Sequence, residues 1–176
     1  MLPPYRHRSP LEEPLTLGNL PGGIVWEGKI AYLDRDGVIN RWKENYVNSL
    51  DDVEILAGSG KAIASLRRIG FRICVVTNQS PIGRGLWGHE VLEQINDRIQ
   101  DLLLDEDREA EIDLILYSPY SPSEGSWSRK PNPGMLEAGR QIIDNAQNRL
   151  EDLLAPLTRI PWTLLHGDYR LDNIMF

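Results

Sequence analysis

Short apolar runs, each closing on oxygen-bearing side chains, recur along this 176-residue chain with amphipathic stretches between them. Ile30 to Leu33 closes on Asp34, Arg72 to Thr77 on Asn78, Asp113 to Tyr117 on Ser118, and Trp162 to Leu165 on His166-Gly167-Asp168. Such runs are too short for helices, and their near-continuous apolar character suits strands buried on both faces. The stretches between them have helical spacing. Ala62, Ile63, Leu66 and Ile69 share one face over Gly58 to Ile69, and Gly70 stands where a helix C-cap glycine belongs. Val91, Leu92, Ile95, Ile99 and Leu102 share a face over His89 to Leu104. Pro133 stands at the first turn of a third helix that runs into the Leu150 to Leu154 region. Alternating strands and helices predict an α/β fold of three layers, a parallel sheet with helices on both faces. Ligands of such sheets bind outside the carboxyl ends of the strands. Asp34, Asp36, Thr77, Asn78, Ser118 and Asp168 are therefore expected at one crevice.

Residues 1–27 hold Pro3, Pro4, Pro10, Pro14 and Pro21, then Gly22-Gly23, and read as an extended arm. A folded unit is expected over residues 28–146, followed by a tail over 147–176. The 41% hydrophobic content is enough for a core, and the net charge of -7 argues against a nucleic-acid or anionic-membrane surface. No apolar run reaches the length of a bilayer span, and Arg6 and Arg8 precede no apolar stretch of the signal-peptide kind. The one cysteine, Cys74, has no internal disulfide partner and sits in an apolar run. A cytoplasmic protein acting on a small molecule is expected.

Asp34-Arg35-Asp36-Gly37 carries the chemistry. A carboxylate at the end of a buried strand is costly unless something pairs with it. Two carboxylates two residues apart suit a division of labour, one attacking phosphorus and the other exchanging a proton with the leaving oxygen. Gly37 lets the chain turn so that both face one pocket. Asp-Gly is also an ordinary turn pair, and these four residues alone leave both readings open.

Three longer strings resemble one family. Tyr32-Leu33-Asp34-Arg35-Asp36-Gly37-Val38-Ile39-Asn40 looks like the first motif of the haloacid dehalogenase superfamily, in its branch of heptose bisphosphate and histidinol phosphatases. Val76-Thr77-Asn78-Gln79-Ser80-Pro81-Ile82-Gly83-Arg84-Gly85 resembles that branch's second motif and substrate loop, and Ser128-Arg129-Lys130-Pro131-Asn132-Pro133-Gly134-Met135-Leu136 its third. The resemblance implies a Rossmann-like fold and a magnesium-dependent phosphatase acting on a small phosphorylated metabolite. Asp34 would be the nucleophile that forms an aspartyl phosphate and Asp36 the general acid and base. Thr77 would bind a phosphoryl oxygen, and Lys130 would neutralise charge on the transferring group. Asn40, Asn78, Arg84 and Arg129 would hold the rest of the substrate. Asp34, Asp36 and Asp168 would hold Mg2+.

The chain departs from that branch in two places. The branch often holds a structural zinc on Cys-x-His and Cys-x-Cys pairs. Here the matching positions are Ser118, Tyr120, Ser126 and Ser128, whose hydroxyls are poor zinc ligands, so no zinc is expected. The string Gly167-Asp168-Tyr169-Arg170-Leu171-Asp172 satisfies the family's fourth motif. The longer stretch from Leu164 to Phe176 looks more like the catalytic loop of aminoglycoside-phosphotransferase-type kinases, with Asp168 as base and Asn173 as metal ligand. The tail thus either completes the sheet or is a partial kinase-like segment, and nothing after Phe176 supplies the elements that usually close the phosphatase sheet. An inactive remnant or binding module, or part of a phosphatase–kinase fusion, are the alternatives to a working phosphatase.

Overall fold

The computed structural model describes residues 2–158. Four strands form one sheet in the order β1-β4-β3-β2: β1 (Tyr5–Arg6), β2 (Ile30–Leu33), β3 (Arg72–Asn78) and β4 (Leu114–Ser118). β2, β3 and β4 are parallel, and β1 adds an antiparallel edge to β4. Parallel neighbours need crossover connections. Helix α1 (Ser59–Arg68) supplies the first, and α3 (His89–Glu106) the second, after the single turn α2 (Ser80–Gly83). Helix α4 (Gly134–Thr158) follows β4.

β3 shows why the chain makes three layers. Its side chains alternate between two apolar cores, as the period of a strand requires. Ile73 and Val75 pack with Ile63, Ile95, Ile99 and Leu103 on the side of α1 and α3. Cys74 and Val76 pack with Leu116, Met135 and Ile143 on the side of α4. Each fully buried aliphatic side chain stabilises by about 1.5 to 3 kcal/mol, so both faces must be covered. Helix α4 lies close to the sheet at Gly139, where an added Cβ would stand 2.9 Å from Cys74 Sγ and 3.2 Å from Tyr32 Cε1. The predicted three-layer α/β, Rossmann-like architecture is the one observed.

Details differ from the sequence expectation. β4 begins at Leu114, because the Asp113 carboxylate is turned back to accept from the Ile73 N–H at 2.7 Å. The proline-rich arm does more than extend. Tyr5 pairs with Tyr117 and Arg6 with Leu116, and Leu17 and Leu20 are buried. Pro21–Gly23 forms a short 3-10 turn. The expected strand Trp162 to Leu165, with His166, Asp168 and Asn173, lies outside the described residues. No helix among the described residues is long and apolar enough to cross a membrane.

Candidate active site

The carboxyl ends of β2 and β3 carry the predicted residues to one place. Directly after β2 the chain turns tightly: Gly37, at φ 86°, donates its N–H to Asn40 O at 2.7 Å, while the Ile39 and Asn40 N–H groups donate to Arg35 O. A left-handed φ of this kind suits glycine. Asp34, Asp36, Thr77, Asn78 and Lys130 line a cavity of about 200 Å³, together with Trp42, Lys43, Tyr46 and Val47.

The two carboxylates are held differently. Asp34 is 43% exposed, and its Oδ2 lies 2.6 Å from Lys130 Nζ. Its Oδ1 accepts from the Arg35 N–H at 2.8 Å. Asp36 is enclosed by donors. The buried Arg35 guanidinium reaches both of its oxygens at 3.0 to 3.3 Å, Asn40 Nδ2 donates to Oδ1 at 3.0 Å, and Gln79 Nε2 donates to Oδ2 at 2.9 Å. Gln79 Nε2 also lies 2.9 Å from Thr77 Oγ1, tying the ends of β2 and β3 together. Lys130 is set in place through its backbone: Asn78 Nδ2 donates to Lys130 O at 3.1 Å, and the Lys130 N–H donates to Asn78 Oδ1 at 3.0 Å. Asp34 thus has one cation beside it and faces the cavity. The Asp36 carboxylate is fixed by several donors in a defined position at the edge of the same cavity.

The remaining predicted residues are placed less directly. Asn40 is fully buried and spends its amide N–H groups on Asp36 and Arg41 O. Arg84 lies outside the cavity lining; its Nη2 donates to the hydroxyl of Tyr46, a lining residue, at 2.6 Å. Arg129 also lies outside it and donates to Tyr120 O at 2.8 Å. Ser118, Ser126 and Ser128 are buried close together, while the Tyr120 hydroxyl donates to Pro3 O. Asp168 lies outside the described residues. Arg35 and Gln79 stand inside the same strings, and a charged side chain one residue from Asp34 and an amide two residues from Thr77 are the signals the sequence offers for them.

No family model matches the chain. The D-glycero-beta-D-manno-heptose-1,7-bisphosphate 7-phosphatase of Pseudomonas aeruginosa is 42% identical over 113 residues, which cover 64% of this chain and 61% of that protein. The phosphatase of the same name from Haemophilus ducreyi is 37% identical over 143 residues, 74% of this chain and 78% of that one. The chain belongs to the haloacid dehalogenase phosphatases. A crystal structure of a family member, D,D-heptose 1,7-bisphosphate phosphatase from B. bronchiseptica complexed with magnesium and phosphate, matches with a TM-score of 0.61 at 35% identity, over 66% of this chain and 64% of that one. The chain spans about three fifths of the length of the P. aeruginosa relative.

A hard dication takes oxygen ligands and keeps much of its water. Among the described residues, no group of three or more His, Cys, Asp and Glu side chains could hold a metal. Asp34 is the better of the two carboxylates for that purpose. Asp36 would first have to release N–H donors from Arg35, Asn40 or Gln79.

Proposed function

We propose that this chain removes one phosphate from a phosphorylated sugar, of the heptose 1,7-bisphosphate kind, through an aspartyl phosphate on Asp34. The observation that carries the reading is the 2.6 Å pair of Lys130 and Asp34 on the wall of a cavity that Asp36 and Thr77 share. An Asp34 oxygen attacks phosphorus and the ester oxygen leaves with a proton from Asp36. A water then attacks the acyl phosphate, gives its proton to Asp36 and frees Asp34. Lys130 balances charge on the transferring group, and Thr77 donates to a phosphoryl oxygen. Such transfers depend mainly on positioning and charge stabilisation. Mg2+, held by Asp34 with water and Asp168, would add Lewis-acid stabilisation of the same charge. Arg84 and Arg129 are the cations for a second phosphate. The reaction belongs in the cytoplasm, on a small metabolite rather than a nucleic acid or a membrane lipid, in keeping with the net charge of -7. The test is phosphate release from D-glycero-D-manno-heptose 1,7-bisphosphate, with magnesium and with EDTA. Magnesium-dependent release is expected; no release from this or any sugar phosphate in a panel would overturn the reading.

A further inference from the structure

Between β4 and α4 the chain crosses residues 119–133, a loop whose only regular piece is the turn Pro122–Glu124. This loop carries Lys130, yet its serines are hidden like core residues. Ser126 is 3% exposed and Ser128 1%, and Ser118 at the end of β4 is fully buried. Buried hydroxyls are costly unless each finds a partner. Ser126 Oγ donates to Leu2 O at 3.1 Å. The Ser126 and Ser128 hydroxyl oxygens lie 2.8 Å apart, and the Ser128 N–H donates to Ser126 Oγ at 3.2 Å. Ser118 Oγ lies 3.5 Å further on. Beside this chain, the Tyr120 hydroxyl donates to Pro3 O at 3.0 Å. Two consecutive carbonyls of the N-terminal arm are thus taken by side chains of the Lys130 loop.

The arm itself is anchored elsewhere. Tyr5 and Arg6 pair with β4, and the Tyr5 ring stacks on Tyr117 with centroids 5.7 Å apart. From the arm, the bonds lead onward to Lys130. Arg129 donates to Tyr120 O, and Asn132 Nδ2 donates to Ser126 O at 3.0 Å, bracketing Lys130 on both sides. We propose that residues 2–6 latch this loop through Ser126 and Tyr120, and so hold the Lys130 ammonium against Asp34. Ser126, Tyr120 and Tyr5 are positioning residues; none lines the cavity around Asp34. The catalytic consequence rests on the phosphatase reading, whereas the latch itself does not.

The test uses the full chain with Tyr5→Ala, Tyr120→Phe and Ser126→Ala, read by amide hydrogen exchange and by phosphate release. Tyr5 is 42% exposed, so its replacement removes the ring that stacks on Tyr117 without emptying a core position, and Tyr120→Phe removes one hydroxyl only. Exchange across residues 119–133 should rise in all three, while exchange in β3 and α3 stays as in the parent. kcat should fall about three- to tenfold, the worth of one net hydrogen bond, with KM little changed. In the Tyr5→Ala background, Lys130→Ala should cost less activity than in the parent, because the lysine is already displaced. Unchanged exchange in the loop would overturn the latch whatever the activity. Equal costs of Lys130→Ala in both backgrounds would overturn its link to Lys130. A parent chain without phosphate release would count against the proposed function alone, since the exchange measurement stands without it.

Discussion

The two ends of the sheet carry the same chemical groups and use them in opposite ways. At the amino end, the Asp113 side chain is 1% exposed and lies between Arg67 and Arg72, 2.8 and 3.0 Å away, whose side chains are 2% and 3% exposed. The Ile73 N–H adds a further bond to Asp113, and Gly18 O and Glu111 take other donors of the two arginines. Around Asp113, charge is matched and the three side chains are buried. At the carboxyl end, Asp34 has one cation, one backbone donor and an open cavity beside it. A buried, fully partnered carboxylate contributes order, because removing either partner strands a charge in a dry interior. A half-exposed carboxylate contributes little to stability and keeps lone pairs for an incoming group. The identity of the side chains does not separate structure from chemistry here; the number of partners and the access of solvent do.

One substitution made at both ends would break this comparison if it is wrong. Asp34→Asn keeps shape and removes the attacking anion. Phosphate release should fall to background, and the urea midpoint should stay close to that of the parent. Asp113→Asn should do the reverse. It should cost about 3 kcal/mol, the lower end for breaking a buried pair because Glu111 still faces Arg67, with activity per folded molecule unchanged. Urea unfolding and initial rates on the same preparations decide it. An Asp34→Asn protein that turned over like the parent would end the nucleophile assignment.

Much of the carboxyl end was legible in the sequence, because its chemistry lies in contiguous strings. Asp34 and Asp36 follow one apolar run, Thr77 and Asn78 end another, and Lys130 stands in a third string of the same order. The helices were legible because their apolar faces repeat over many residues. The amino end was not legible, since Arg67, Arg72 and Asp113 read as ordinary charged residues until the fold brings them together. Arg35 hides for a related reason: a charge between two aspartates reads as solvated, and only the position of α3 shows that it is buried against Asn96, whose Oδ1 accepts from it at 3.1 Å. Strand β1 was beyond reach because two residues carry no period, and its pairing with Tyr117 is set by a partner more than a hundred positions away.

Asp36 tests the boundary between the two kinds of carboxylate. It lines the cavity, as a chemical group should, yet it is the partner of the buried Arg35 guanidinium. Asp36→Asn should therefore show both effects. Phosphate release should drop on the order of a hundredfold through lost proton transfer. Stability should also fall, by about 1 to 3 kcal/mol, because Arg35 loses the anion facing it. Gln79→Ala, which removes a donor from Asp36 and leaves that anion in place, should show a smaller loss of rate and little change in stability. If Asp36→Asn lowered the rate with no change in the unfolding midpoint, Arg35 would not depend on Asp36, and Asp36 would join Asp34 as a chemical group alone.

The smallest effect is expected where the arm meets α3, and it extends the comparison to a histidine–carboxylate pair. His7 Nε2 lies 3.0 Å from Asp97 Oδ1, and Arg8 also reaches that carboxylate. The ring is 17% exposed, Asp97 41%. Burial holds the His7 imidazole below its ordinary value of 6.5; Asp97 and Glu93 pull the other way without prevailing, and Arg8 adds to the lowering. The unfolded chain thus binds a proton on His7 more readily than the folded chain does. Where the unfolded form is protonated and the folded form is not, stability rises with pH. The stabilising preference is fully present above about pH 6.5 and is lost as pH falls through the lower folded value. His7→Gln removes this titration and leaves Asp97 with Arg8. Urea unfolding of both proteins at pH 7.5 and 5.5 should show a smaller loss of stability on acidification for His7→Gln than for the parent. An equal or larger loss would mean that the Asp97 pair, rather than burial, governs this histidine. The arm would then be tied to α3 by charge, as Asp113 is tied at the amino end of the sheet.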